Sequence, residues 1–341
     1  MWKVTGASVA GTLHEAAKRG CDDASAWSVD TDLACLAVAD GAGSRPLSGQ
    51  GAARAVERAL SVASACARGP GADAAATWLP TVFADVREQL RGLAAEQGRA
   101  LDDYATTLAV VILTPNLACV GQVGDTLVVV ASSGTYQTIA PSPPGEYVNE
   151  TTFVTEERAL DLARITVLPA ADIEAVFLST DGLRFKILDD PAAAVPFAPF
   201  FDDLTAYVRA PGASSEAIRG FLAGLRDDQT GDDKTLVAAV RNHGSAGAQP
   251  SGVLVPRLGS ADESKRYAVP APAPHHSPRE ADAIHNRVRR TRPGRIPSRR
   301  RRPGRGILRL LPERACLQEV LPPGAGKGPG AGAPAARDGG Q

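Results

Sequence analysis

One pattern recurs three times along this chain and limits its fold more than any other feature. Leu33 to Ala39 is an apolar run of strand length that ends on Asp40 and the Gly-rich turn Gly41-Ala42-Gly43-Ser44. Ala175 to Thr180 runs likewise into Asp181-Gly182, and at Gly231-Asp232-Asp233 the carboxylates precede the run Thr235 to Val240. Glycine beside the acid lets backbone or ligand approach closely. In antiparallel neighbours the end of one strand lies beside the start of the next, so Asp40, Asp181 and Asp232 are expected to converge on one rim. Crowded carboxylates raise one another's pKa, and a persistent cluster takes up protons or metal. Oxygen-only ligand sets suit Mg²⁺ or Mn²⁺ rather than Zn²⁺. Two such ions would provide a hydrolytic water and clamp a phosphoryl group.

The intervening segments set the architecture. Residues 1–39 read as strand, loop, strand, with Gly20-Cys21-Asp22-Asp23 in the loop. Ser48 to Arg68 carries Ala52, Ala55, Val56, Ala59 and Ala63 at helical spacing, and Gly69-Pro70-Gly71 stops the run. A second helix is expected from about Asp73 to Gln97, with Pro80 in its first turns or kinking it. Two such helices joined by a short connection should pair and cover one face of a sheet. Thr106-Thr107 then opens a meander, Leu108–Leu113, Leu117–Val123, Thr126–Ala131 and Thr135–Ile139, whose closely spaced turns exclude a βαβ crossover. Pro141 to Thr155 is long enough to cover a site. Strands near Ile165–Leu168 and Glu174–Ser179 follow, Ser214 caps a helix to Leu225, and Thr235–Arg241 closes the sheet. Asp189 to Gly212, rich in Pro and Phe, takes no clear assignment. The class is α+β with mainly antiparallel sheets.

Charge divides the chain. Up to His243 there are 19 Lys and Arg against 31 Asp and Glu, and beyond it 18 against 7. Residues 1–243 hold enough Ala, Val and Leu for a sizeable core, whereas residues 244–341 are Pro, Gly and Arg and cannot bury enough surface to offset chain entropy. We therefore expect one domain, 1–243, and a disordered tail, 244–341. Arg289, Arg290, Arg292, Arg295 and Arg299 to Arg302 would neutralise phosphates of a nucleic acid, but no aromatic between Ala268 and Gln341 is available for base stacking. The plainer reading is an Arg-rich linker. Five cysteines with no CxxC pair disfavour a disulfide framework or a zinc site. No secretory signal is apparent and no apolar run approaches a membrane span, so the expected location is the cytoplasm, without membrane contact.

The order Asp23, Asp40-Gly41, Thr106-Thr107-Leu108, Gly124-Asp125, Asp181-Gly182 and Asp232-Asp233-Lys234-Thr235 resembles the metal-dependent serine/threonine protein phosphatases of type 2C across residues 1 to about 241. The opening Gly11-Thr12-Leu13-His14 with Gly20-Cys21-Asp22-Asp23 is similar to a bacterial branch of that family. The resemblance implies a four-layer α-β-β-α sandwich with two Mn²⁺ or Mg²⁺ ions at one end and a third, weaker ion. It implies that Asp40 bridges both ions, that the Gly41 carbonyl binds one, and that Asp181 and Asp232 bind the other. Asp23 would act on the metal shell through water and Asp125 would hold the third ion. The implied activity is hydrolysis of phosphoserine and phosphothreonine in proteins by direct attack of metal-bound hydroxide. The implied partner is a protein phosphorylated by a serine/threonine kinase; the oligomeric state is left open.

Two departures qualify the likeness. Where the family places a phosphate-binding Arg about five residues before the first Asp, this chain has Lys18, with Arg19 beside it. Lys binds phosphate as a point charge without the bidentate fork of Arg. Eukaryotic members often carry a His after Asp-Gly as leaving-group acid, and Ala42 stands there. These departures motivate an alternative: a weakly active or inactive phosphatase-fold signalling module that binds phosphoproteins. Two further readings compete. His14 and Cys21 suggest a ligand pair, although a lone His near a loop is more often a hydrogen-bonding residue. Asp30-Thr31-Asp32 is similar to the Asp-x-Asp of haloacid-dehalogenase-type phosphatases, but Trp27-Ser28-Val29 is a poor strand to precede it.

Overall fold

The apolar runs between tight turns form two five-stranded sheets, and every strand pair in them is antiparallel. The structure, a computed structural model, describes residues 1–69, 75–139, 151–225 and 230–242. All of them belong to one compact unit. In chain order the elements are β1 (Trp2–Val9), α1 (Thr12–Ala16), β2 (Ala24–Val29), β3 (Ala34–Ala39), α2 (Ser48–Arg68), α3 (Ala75–Glu96), β4 (Leu108–Leu113), β5 (Leu117–Val123), β6 (Leu127–Ser132) and β7 (Thr135–Thr138). They continue with β8 (Arg164–Pro169), β9 (Ile173–Ser179), α4 (Arg184–Ile187), β10 (Leu188–Asp190), β11 (Val195–Pro196), α5 (Ala198–Arg209), α6 (Ser215–Gly224) and β12 (Lys234–Arg241). One sheet has the order β1-β12-β9-β6-β7 and the other β2-β3-β4-β5-β8.

Side chains alternate across a strand, and here both faces of the central strands are covered, which is why the runs read as continuously apolar. On β3, Leu36 and Val38 face the opposite sheet, meeting a layer that includes Val128, Val176, Leu178 and Val237. Cys35, Ala37 and Ala39 face the other way, beneath α2 and α3. Helix α2 lies on the sheet through its Ala52, Ala55, Ala59 and Ala63 stripe, and α3 adds Leu79, Val82, Phe83 and Leu90. On the far side α5 and α6 place Phe200, Phe201, Leu204, Ile218 and Leu222 over Val129, Phe177, Leu236 and Ala238. The layers are therefore helices, sheet, sheet, helices, as expected.

Several elements depart from the reading of the sequence. The Asp189–Gly212 stretch contains α5, whose Phe200, Phe201, Leu204, Tyr207 and Val208 fall on one helical face behind a proline in the first turn. Ala24–Val29 is an edge strand, so its outward residues stay polar. Short helical turns at Thr12–Ala16 and Leu101–Tyr104 occupy what reads as loop. Pro80 is accommodated inside α3, and the Ser214 hydroxyl caps α6 by accepting the Ala217 amide. Among the described residues no helix is long and apolar enough to cross a membrane. The expectations for residues 244–341, and for most of Pro141–Thr155, lie outside the described residues.

Candidate active site

The two sheets bring their acidic strand ends to one rim. Asp181 follows β9 and Asp232 precedes β12, and these strands pair antiparallel with Leu236 opposite Ser179. Asp40 arrives from β3 of the other sheet, and its backbone is fixed by the Thr106-Thr107 pair that opens β4. The Asp40 amide donates to the Thr107 hydroxyl at 2.9 Å, while the Thr107 amide and the Thr106 hydroxyl donate to the Asp40 carbonyl at 2.8 and 2.9 Å. Thr107 also reaches the Thr126 hydroxyl, 3.1 Å away. That contact ties the Asp40 strand end to the turn carrying Gly124-Asp125. Gly41 bridges to Thr106.

Two close approaches explain glycines in the motif. A side chain at Gly182 would fall on the Asp233 carbonyl oxygen, and one at Gly11 on the Asp232 carbonyl. The loops bearing Asp181, Asp232 and the N-terminal turn thus stack backbone to backbone. Asp233 locks them. Its buried carboxylate accepts the Gly11 amide at 2.7 Å, the Asp22 amide at 2.5 Å and His14 Nδ1 at 2.9 Å. Asp23, almost fully buried, accepts the Thr180 and Thr235 hydroxyls, each at 2.8 Å.

Electrostatics separates this group from ordinary turn residues. Asp23 and Asp40 are pushed well above the usual carboxylate range, chiefly by burial. Two hydroxyl donors do not outweigh that effect at Asp23, and Asp40 is raised further by Asp23, Asp181, Asp232 and Asp125. Burial, then Asp125 and Asp232, push Asp181 up to about 6. Burial also raises Asp232. One Asp181 oxygen, Oδ1, is buried without a hydrogen-bond partner. Among the described residues no group of three or more His, Cys, Asp or Glu side chains stands ready to hold a metal ion. The donor set nevertheless fits a hard divalent cation: it is all oxygen, mutually repulsive, buried at Asp23 and partly buried at Asp40 and Asp181, and it includes an orphaned carboxylate oxygen.

The remaining predicted residues divide clearly. Asp125 joins the cluster and its carboxylate accepts the Thr151 hydroxyl at 2.9 Å. The Arg19 guanidinium reaches the rim, donating to Asp22 at 2.8 Å and to the Gly43 carbonyl at 3.2 Å. Lys18 sits in the left-handed region at φ 54° and is exposed. Asp30 and Asp32 lie at the opposite end of β3 from Asp40, in the β2–β3 turn, where Asp30 pairs with Arg68. An all-antiparallel arrangement has no place for the Asp-x-Asp reading. His14 is a hydrogen-bonding residue, and burial with Asp23 and Asp233 nearby drives the Cys21 thiol upward, away from the thiolate a metal would need. The residues not singled out by sequence are Asp22, Asp233 and the Thr180–Thr235 pair. Their signal lies in the doubled acids, Asp22-Asp23 and Asp232-Asp233.

Comparison with known proteins gives the family. The family model described as "Protein phosphatase 2C" matches residues 10–223. The chain belongs to the protein phosphatase 2C family. It is 32% identical over 250 residues to serine/threonine-protein phosphatase 3 of Escherichia coli strain K12, spanning 70% of this chain and 98% of that protein. The fold is similar to that of the serine/threonine phosphatase Stp1 from Staphylococcus aureus, with a TM-score of 0.52 and 15% identity over 71% of this chain and 96% of the other. A bacterial serine phosphatase matches with a TM-score of 0.51 and 17% identity, over 70% of this chain and 98% of that one.

The raised carboxylates give the 2C domain a pH-dependent stability. Because the folded pKa of Asp181 lies above its ordinary value of 3.8, the folded state binds more protons than the unfolded one between about pH 4 and 6. Stability is then complete below that window and declines as pH rises through it, by roughly 1–3 kcal/mol for a shift of this size. In chelator, the melting temperature should be higher at pH 5 than at pH 7.5, and Asp181→Asn should flatten the difference. Equal slopes in both proteins would contradict the shared burial of these acids.

Proposed function

We propose that residues 1–243 form a divalent-metal-dependent phosphatase that hydrolyses phosphoserine and phosphothreonine in proteins, with residues 244–341 outside the catalytic unit. The observation that carries this reading is the gathering of Asp23, Asp40, Asp181 and Asp232 beside Asp125 where the two sheets meet, each raised by desolvation and by neighbouring acids. Asp40 and the Gly41 carbonyl would hold ions from one sheet, Asp181 and Asp232 from the other. Asp23 would steady the shell through water, and Asp125 would hold a third, weaker ion. Bound there, Mn²⁺ or Mg²⁺ would activate water and neutralise charge on the phosphoryl group.

The chain's own residues do the rest. Thr106, Thr107 and the crossing of Gly182 with Asp233 hold the acids at fixed strand ends, which supports preorganisation. Arg19 takes the phosphate-orienting role, since its guanidinium is held at the rim by Asp22 and Gly43. That choice restores the bidentate fork that Lys18 lacks. The complete set of acids also favours turnover over the inactive binding module, because a binding surface gains nothing from buried, repelling carboxylates.

Hydrolysis of p-nitrophenyl phosphate and of a phosphothreonine peptide should require Mn²⁺ or Mg²⁺. Asp40→Asn should lower it at least about a hundredfold while the chain stays folded. A folded wild-type chain without metal-dependent turnover would refute the reading.

Arg19→Ala should raise KM several-fold more than it lowers kcat, the pattern of lost ground-state binding. Lys18→Gly, which relieves the left-handed backbone, should leave both constants near wild type. The opposite result in the two variants would return the phosphate to Lys18.

A further inference from the structure

Beyond the metal cluster, one ionisable side chain at the rim has its orientation fixed and one nitrogen left over. His14 Nδ1 lies 2.9 Å from each carboxylate oxygen of Asp233. A carboxylate only accepts, so Nδ1 carries the hydrogen, and the ring is oriented much as an acid orients the imidazole of a hydrolase triad. Nε2 then points away from Asp233. It lies 3.8 Å from Asp22 Oδ2, and 3.9 Å from where a Cβ at Gly43 would stand. The Arg19 guanidinium is anchored to the same Asp22 oxygen and to the Gly43 carbonyl. The ring nitrogen and the phosphate-orienting cation therefore flank the same pair, Asp22 and Gly43. The His14 side chain is 14% exposed, so the ring is held yet not sealed from solvent.

An alkoxide leaving from phosphoserine or phosphothreonine is a poor leaving group unless it is protonated, and general-acid assistance of this kind contributes roughly 10²–10⁴ in rate. The residue after Asp40-Gly41 is Ala42, which has no proton to give. We propose that His14, oriented by Asp233, is the proton donor to the leaving-group oxygen. This inference rests on the phosphatase reading above and adds a catalytic residue to it. As the bond from phosphorus to the seryl or threonyl oxygen breaks, that oxygen takes the proton from Nε2, leaving the neutral ring with its hydrogen on Nδ1. The oxygen of water joins phosphorus, its proton goes to solvent, and His14 is reprotonated from solvent. The products are the free hydroxyl side chain and inorganic phosphate. The charged groups facing His14 are Asp22, Asp233 and Asp232, with Arg19 on the outer side.

The dependence on leaving group tests this role. His14→Asn keeps a side-chain N–H near Asp233 but removes the second nitrogen. On wild type, rates across aryl phosphates should vary little with the acidity of the departing phenol. In His14→Asn the loss should be about threefold or less for p-nitrophenyl phosphate, whose leaving group needs no proton. It should reach about a hundredfold for a phosphothreonine peptide. An equal loss on all substrates would reduce His14 to a structural residue and overturn the proposal, leaving the phosphatase reading intact. No hydrolysis of any substrate by wild type would overturn both. If His14→Asn does not fold, the wild-type series decides alone: a steep fall in rate with less acidic phenols overturns the proposal, and a shallow one supports it.

Discussion

Bringing like charges together inside a protein is unfavourable twice over, through lost solvation and through mutual repulsion, and the end of this sandwich does so with four aspartates. Burial is the first cause of the raised pKa at each of Asp23, Asp40, Asp181 and Asp232, and neighbouring acids add to it. Asp23 is buried and Asp40 and Asp181 are partly so, while Asp232 stays open to solvent at the rim. The scaffold therefore has to be rigid enough to hold them against their own repulsion. Two sheets packed through Leu36, Val38, Val176, Leu178 and Val237, with helices on both outer faces, provide that rigidity.

The local devices are specific. Asp40 is held by threonines of the adjacent strand and not by its own turn. The Asp181 and Asp232 loops are pressed together so closely that residue 182 has no room for a side chain. Asp233 gathers three donors from segments more than two hundred residues away in sequence. Asp233 therefore fastens the N-terminal turn to the last strand of the domain. The same fastening orients His14. In this way one carboxylate beside the acidic cluster fixes the shape of the site and, in the role proposed for His14, the direction of its ring.

Much of this was legible in the sequence, for a physical reason. Acids at strand ends next to glycine are unusual unless something needs the backbone close, and antiparallel pairing brings Asp181 beside Asp232; Asp40 joins them from the other sheet, a meeting that strand pairing alone did not announce. Helix α2 was readable because its buried alanines, Ala52 to Ala63, repeat at helical spacing over about three turns. Helix α5 carried an equally regular face in Phe200, Phe201, Leu204, Tyr207 and Val208, obscured by the prolines around it. Asp233 was not legible as a lock, because its partners Gly11, His14 and Asp22 are known only once β1 and β12 pair. The choice of Arg19 over Lys18 likewise depended on a backbone reversal at Lys18 that no spacing rule announces.

The central claim is that these buried acids are a divalent cation site that holds protons until metal arrives. Calorimetric titration of the full chain with Mn²⁺ near pH 6, repeated in buffers of different ionisation enthalpy, measures ions bound and protons released together. The account predicts about two Mn²⁺ ions per chain, with net proton release as Asp181 and its neighbours ionise. Absence of tight binding, or binding without proton release, would contradict it.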